Sequence, residues 1–139
     1  AVGSRADILF TDTIPKDGVE ILVGNAALAV CPTLFEGGGC GPAMEAAYAG
    51  IPVVCSRIPQ ILEQYDQRLD LCRFFDPLDE QAIADAVRTA LVDEAGTRVM
   101  AERAQQWIQR RRNWEDVARE YGAVIRAVWE EKAAPGARS

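Results

Sequence analysis

Three short apolar runs constrain what this chain can fold into more than any other feature. They are residues 27–32 (ALAVCP), 51–55 (IPVVC) and 71–75 (LCRFF), with helical patterning between and after them. A strand solvated on one face alternates apolar and polar residues, whereas a continuous apolar run means that both faces are covered. Such strands separated by helices indicate a parallel sheet with helices on both sides. A further run, residues 7–11 (DILFT), reads as another short strand. Residues 18–25 read as a helix with Val19, Leu22 and Val23 on one stripe, and residues 43–49 as a short helix opened by Gly41 and Pro42. Proline suits the first helical position, where its missing N–H would be unpaired anyway. The expected class is α/β, with about four parallel strands.

The C-terminal third is predicted helical. Residues 79–92 open on an acidic cap and carry Ile83, Val87 and Leu91 on one face. Residues 97–112 follow Gly96. Asn113 is the predicted cap of a last helix with Trp114, Val117, Tyr121, Ile125 and Val128 along one side. Trp107, Trp114 and Trp129 read as packing residues, and the run Arg110, Arg111, Arg112 as a solvated face beside Glu102, Glu115 and Asp116. Residues 133–139, with Pro135 and Gly136, are expected to fray. The chain has 139 residues, no internal repeat and no linker, so residues 1–132 are expected to form one unit.

Composition removes several classes of function. With 15 Lys+Arg against 21 Asp+Glu the formal charge is −6, a poor starting point for binding nucleic acid or an anionic membrane. There is no histidine, so Ser–His and Cys–His nucleophile pairs cannot form within the chain, and the commonest transition-metal ligand is missing. The cysteines Cys31, Cys40, Cys55 and Cys72 form no C-x-x-C pair, which argues against zinc and thioredoxin-like sites. Cys31 and Cys55 lie in apolar runs and read as reduced core thiols of a cytoplasmic protein.

The stretch that carries chemistry is residues 32–52, PTLFEGGGCGPAMEAAYAGIP. A buried strand ends, a glycine-rich loop follows, and a helix begins at once. Glycines let a ligand approach the backbone closely, and the first turn of a helix offers unpaired N–H groups and the positive end of its dipole. At the carboxyl end of a parallel strand these make an anion site fit for a phosphate or diphosphate. Two glutamates flank the loop, Glu36 before it and Glu45 one turn into the helix. A carboxylate beside a phosphate site is unfavourable unless it serves something else, and carboxylates accept paired hydrogen bonds from vicinal diols. A nucleotide-sugar has diols at both ends. The alternative is a plain glycine-rich turn, with Glu36 solvated and Glu45 interacting only with the helix dipole. Arg57 follows the 51–55 strand at the ligand-facing edge, where it either assists a donor phosphate or is a surface arginine.

The same stretch resembles the donor-binding signature of retaining GT-B glycosyltransferases of the family 4, group 1 type. The matching residues are Pro32-Thr33, Glu36-Gly37, Pro42, Glu45-Ala46 and Gly50-Ile51-Pro52-Val53-Val54. Ser56, Ile58-Pro59 with Glu63, Phe75-Asp76-Pro77 and Asn113-Trp114 continue the likeness in order. It implies a partial Rossmann-like sheet, the C-terminal donor half of a two-domain enzyme that is N-terminally truncated here. It also implies transfer of a sugar from a nucleotide-sugar with retention of configuration. Glu36 would be the catalytic carboxylate, in contact with sugar hydroxyls. Thr33 would lie near the phosphates, the backbone of Gly37, Gly38, Gly39, Cys40 and Gly41 would hold sugar and diphosphate, and Glu45 would bind the ribose.

No metal or cofactor is expected, because the nucleoside-diphosphate sugar is a substrate. The acceptor is expected on an N-terminal half that the chain lacks, so the chain by itself is expected to be inactive. The rival reading is a stand-alone nucleotide- or phosphosugar-binding module. The parent enzyme would be cytoplasmic or peripheral at the inner face of a membrane. Two departures from the signature are visible. Eight residues, 37–44, separate the glutamates, one more than is usual, and Gly38 stands where an aromatic is expected. In the doubly wound order implied by the resemblance, residues 27–32 form an apolar edge. Residues 7–11 or a second copy of the chain should cover it, the latter giving a dimer.

Overall fold

The computed structural model describes residues 8–111 and 114–133. Its elements run α1 (Lys16–Gly24), β1 (Ala29–Cys31), α2 (Gly41–Tyr48), β2 (Val53–Ser56), α3 (Pro59–Gln64), β3 (Arg73–Phe75), α4 (Glu80–Val92), α5 (Glu94–Gln109) and α6 (Trp114–Ala133). The chain divides into two units, Ala1–Gln109 and Arg110–Ser139. Asn113 and residues 134–139, where a cap and a frayed tail are expected, lie outside the described residues.

The first unit is a Rossmann-like α/β layer around a parallel sheet in the order β1-β2-β3. Val30 pairs with Val54, and Cys55 with Phe74. β2 is buried along its whole length because it has a neighbour on each side and helices on both faces. Val53 and Cys55 pack with Ala43, Ala46 and Ala47 of α2, Ile61 of α3 and Ala104 of α5. Val54 and Phe75 pack on the other face against α4, through Ile83, Ala86, Val87 and Ala90. The alanines of α2 let it lie close on β1, β2 and α5. Asp79 caps α4 by accepting from the N–H groups of Gln81 at 2.9 Å and Ala82 at 3.0 Å, as an acidic N-cap should.

Three expectations need correction. Residues 8–11 form no strand, and Leu9 and Phe10 are 84% and 79% exposed. A strand needs a ladder partner and a face to bury against. No described strand pairs with this run or with the outer side of β1, so the sheet has three strands. Second, α3 was not expected. Its signature is the one that predicts α2, a proline at the start (Pro59) and apolar residues at helical spacing, here Ile58, Ile61, Leu62 and Tyr65. Third, only Trp107 of the three tryptophans packs inside. It stacks on Tyr65 at 5.8 Å between ring centroids, while Trp114 and Trp129 are 86% and 75% exposed. The second unit holds α6, on which Tyr121, Val124, Ile125 and Val128 share one amphipathic face.

Candidate functional site

All three strands point the same way, so their carboxyl ends share one edge of the sheet. β1 delivers the chain into residues 32–40 at that edge, and α2 starts immediately after, with Cys40 at its N-cap and Pro42 in its first turn. The two strand ends are tied together, since the Ser56 hydroxyl donates to the Cys31 carbonyl at 3.4 Å. Thr33 is half-buried at the start of the loop; its hydroxyl donates to the Phe35 carbonyl at 2.8 Å and its N–H to the Cys31 carbonyl at 3.1 Å. Glu36 follows half-buried, and Glu45 is exposed on α2. Thus Thr33, Glu36, the glycines and Glu45 belong to one strand–loop–helix unit.

Within the loop the backbone amides differ. The Cys40 N–H is taken, donating to the side-chain oxygen of Gln64 at 2.8 Å. No described group accepts from the N–H of Gly37, Gly38, Gly39 or Gly41. The glycines differ as well. Gly39 has φ +98°, and a Cβ there would sit 2.7 Å from the Gln64 side-chain carbon, so glycine is required by the fold. Gly37, Gly38 and Gly41 have no positive φ, and a Cβ on any of them would meet nothing within 4 Å. The folded chain itself makes no demand for glycine at those three positions.

Arg57 sits elsewhere. It is exposed just past β2 and lines an open depression of about 470 Å³ with Leu69, Arg73, Asp85 and Thr89, which no loop residue lines. Its own N–H closes the sheet edge, donating to the Phe75 carbonyl at 2.7 Å.

The four cysteines, Cys31 in β1, Cys40 in the loop, Cys55 in β2 and Cys72 just before β3, are all free thiols. Cys55 and Cys72 sulfurs are 3.0 Å apart, and the Cys72 thiol donates to the Val53 carbonyl at 3.3 Å. Burial, then the neighbouring Cys40 thiol, pushes Cys31 up to about 12. The bond to Cys72, followed by burial, pushes Cys55 up as well. Such thiols are neutral packing groups and poor nucleophiles. Among the described residues no three of Cys, Asp and Glu gather to ligate a metal, and no helix is long and apolar enough to cross a membrane.

Sequence reasoning missed Gln64. The signal for it was weak, a polar residue at the end of a short helix, and only the fold brings it back to the loop.

Residues 1–114 match the family of glycosyl transferases group 1. The chain belongs to that family. Among solved structures, sucrose-phosphate synthase from Thermosynechococcus elongatus has the same fold, with a TM-score of 0.71 and 24% identity over 85% of this chain. This group 1 chain spans 29% of the length of that structure. Among curated proteins none matches it by sequence. The family match ends at Trp114, where α6 begins, so the strand–loop–helix unit and the whole sheet fall inside it.

Proposed function

We propose that this group 1 glycosyltransferase chain is the donor-binding part of a retaining, family 4 enzyme of GT-B architecture, spanning residues 1–132. It takes a nucleoside-diphosphate sugar. The observation that carries the reading is the state of the loop. Gly37, Gly38 and Gly41 are dispensable to the fold, and with Gly39 they leave four N–H groups open at the carboxyl edge of the sheet. A diphosphate fits that chemistry, because it accepts from several amides at a helix N-terminus and is met by the positive end of the dipole. The amides also stabilise charge that develops on the leaving diphosphate as its bond to the sugar breaks, a task that needs no metal.

Glu36, half-buried at the mouth of the loop, is the sugar-side carboxylate, and Glu45, exposed on α2, receives the ribose hydroxyls. Thr33 lies at the phosphate side. Arg57, which lines a separate depression, is assigned no more than a distant electrostatic effect. Free thiols at all four cysteines support a reducing, cytoplasmic setting. Transfer also needs an acceptor site facing the donor, and the described residues form a single sheet. The 139-residue polypeptide is therefore expected to bind donor without turnover.

Calorimetry of the polypeptide against a panel of nucleoside diphosphates and nucleotide-sugars at millimolar concentration tests this. Heat of binding with at least one base is expected. Silence across the panel contradicts a competent donor site.

A further inference from the structure

The open amides depend on a loop that holds its shape without a ligand, and one side chain outside the loop is bonded to it on two sides. Gln64 closes α3 and is half-buried. Its carboxamide oxygen accepts from the Cys40 N–H at 2.8 Å, and its nitrogen donates to the Cys40 carbonyl at 3.4 Å. The side chain thus pairs with the Cys40 peptide as a neighbouring strand would. The flat amide also lies where a Cβ of residue 39 would be, 2.7 Å away at its carbon and 2.8 Å at its nitrogen. Gly39, at φ +98°, is therefore shaped around Gln64. Among residues 37–41, Cys40 alone has an N–H that donates to a described group, and Gln64 holds it.

We propose that Gln64 is a positioning residue of the donor site. By fixing the Cys40 peptide it sets the path of residues 37–41, holds the backbone that carries the free amides of Gly37, Gly38, Gly39 and Gly41 in place, and so raises affinity for the diphosphate of the donor. The proposal rests on the donor-site reading above. Gln64 touches no donor atom in this account; it acts through Cys40. A carboxamide offers an acceptor and a donor side by side on one carbon, in one plane. A methyl-terminated isostere offers neither. A glutamate offers the acceptor alone while ionised and regains a donor when protonated.

The experiment compares the unsubstituted chain with Gln64→Met, Gln64→Ala and Gln64→Glu. Three readouts are taken: affinity for the best-bound nucleoside diphosphate, thermal midpoint, and hydrogen exchange of residues 37–41 against that of β2. Gln64→Met is expected to weaken binding about five- to tenfold, the worth of one or two neutral hydrogen bonds. Exchange of the Cys40 amide, the one among residues 37–41 held by a hydrogen bond, should rise while β2 stays protected. Gln64→Glu should weaken binding more at pH 7, where an ordinary glutamate is ionised, than at pH 4, where most of it is protonated, when each value is referred to the unsubstituted chain at the same pH, and Gln64→Met should show no such dependence. If Gln64→Met and Gln64→Ala do not fold, the pH dependence of Gln64→Glu still decides. Unchanged affinity with faster loop exchange overturns the positioning role and leaves the donor site standing. Unchanged exchange and unchanged affinity overturn the brace itself. If the unsubstituted chain binds no nucleoside diphosphate, the donor-site reading fails and this role falls with it, whatever the loop exchange shows.

Discussion

The two turns at the carboxyl edge of the sheet start from similar ingredients and end differently. Each follows a short apolar parallel strand, and each feeds a helix with proline in its first turn, Pro42 in α2 and Pro59 in α3. The turn after β2 is residues 57–58. It is closed, with Ile58 buried and the Arg57 N–H bonded to the Phe75 carbonyl. The turn after β1 is residues 32–40, exposed in large part, with free amides and two glycines, Gly37 and Gly38, that the fold does not require, and a third such glycine, Gly41, opens the helix that follows. A connection that only has to reverse direction is short and satisfies its own polar groups. A longer one with unsatisfied donors is shaped for something outside the chain. The second turn also serves the first, because its helix ends in the side chain that braces Cys40.

Substitutions can break this contrast. The largest effect on stability belongs to the closed turn. Ile61 of α3 is fully buried, and Ile61→Ala should cost about 2–5 kcal/mol, read as a lowered urea midpoint, with the loop after β1 affected only through global unfolding. A cost below about 1 kcal/mol would mean that α3 is not part of the core.

In the open turn the effects should fall on ligand. Glu45 is exposed, so Glu45→Gln should leave the thermal midpoint in place. On the proposed ribose role it should remove a charge-assisted hydrogen bond worth about 1.5–3 kcal/mol, a ten- to hundredfold loss of affinity. An unchanged dissociation constant with intact folding removes the ribose role.

The glycines sharpen the contrast further. Gly39→Ala places a side chain at φ +98° and against Gln64, so it should cost about 1–3 kcal/mol of stability, and less in a Gln64→Ala background. Gly41→Ala meets open space in the first turn of α2 and should leave stability unchanged or raise it by up to about 1 kcal/mol, yet reduce nucleotide affinity. Equal stability costs at 39 and 41 would erase the distinction between glycines the fold needs and glycines it does not.

Much of this was legible because it rests on local rules. Residues 27–32, 51–55 and 71–75 each overlap an observed strand, but only β2 is buried along its whole length, and Val30 of the edge strand β1 is 41% exposed. The 43–49 helix was signalled by Pro42, and the loop by its glycines. What was not legible is what tertiary context decides. Residues 7–11 have strand propensity, but residues 8–11 find no partner. Gln64 has no special local signature, and its reach to Cys40, 24 residues back, exists only once β2 and α3 are in place. The difference between Gly39 and Gly41 is likewise invisible in a run of identical letters.

A smaller effect should appear in alkali. Cys31, held at about 12 by burial and the Cys40 thiol, stays protonated in the folded chain where an unfolded thiol ionises near 9.0. The folded state then binds more protons, so stability is fully present below about pH 9 and falls as pH rises toward 12. The slope is at most about 1.4 kcal/mol per pH unit for this thiol. Urea midpoints from pH 8 upward check this, and Cys31→Ala should flatten the decline.

The most direct test of the central claim is an amide-resolved NMR titration of the 139-residue polypeptide with the nucleoside diphosphate it binds best. The account predicts that the amides of Gly37, Gly38, Gly39 and Gly41 shift most and that Ala43, behind Pro42 in the first turn of α2, follows. The Cys40 amide, held by Gln64, should move least within the loop. Shifts centred on Arg73, Asp85 and Thr89 with the loop unmoved would contradict it, and would place the anion site in the depression beside β3.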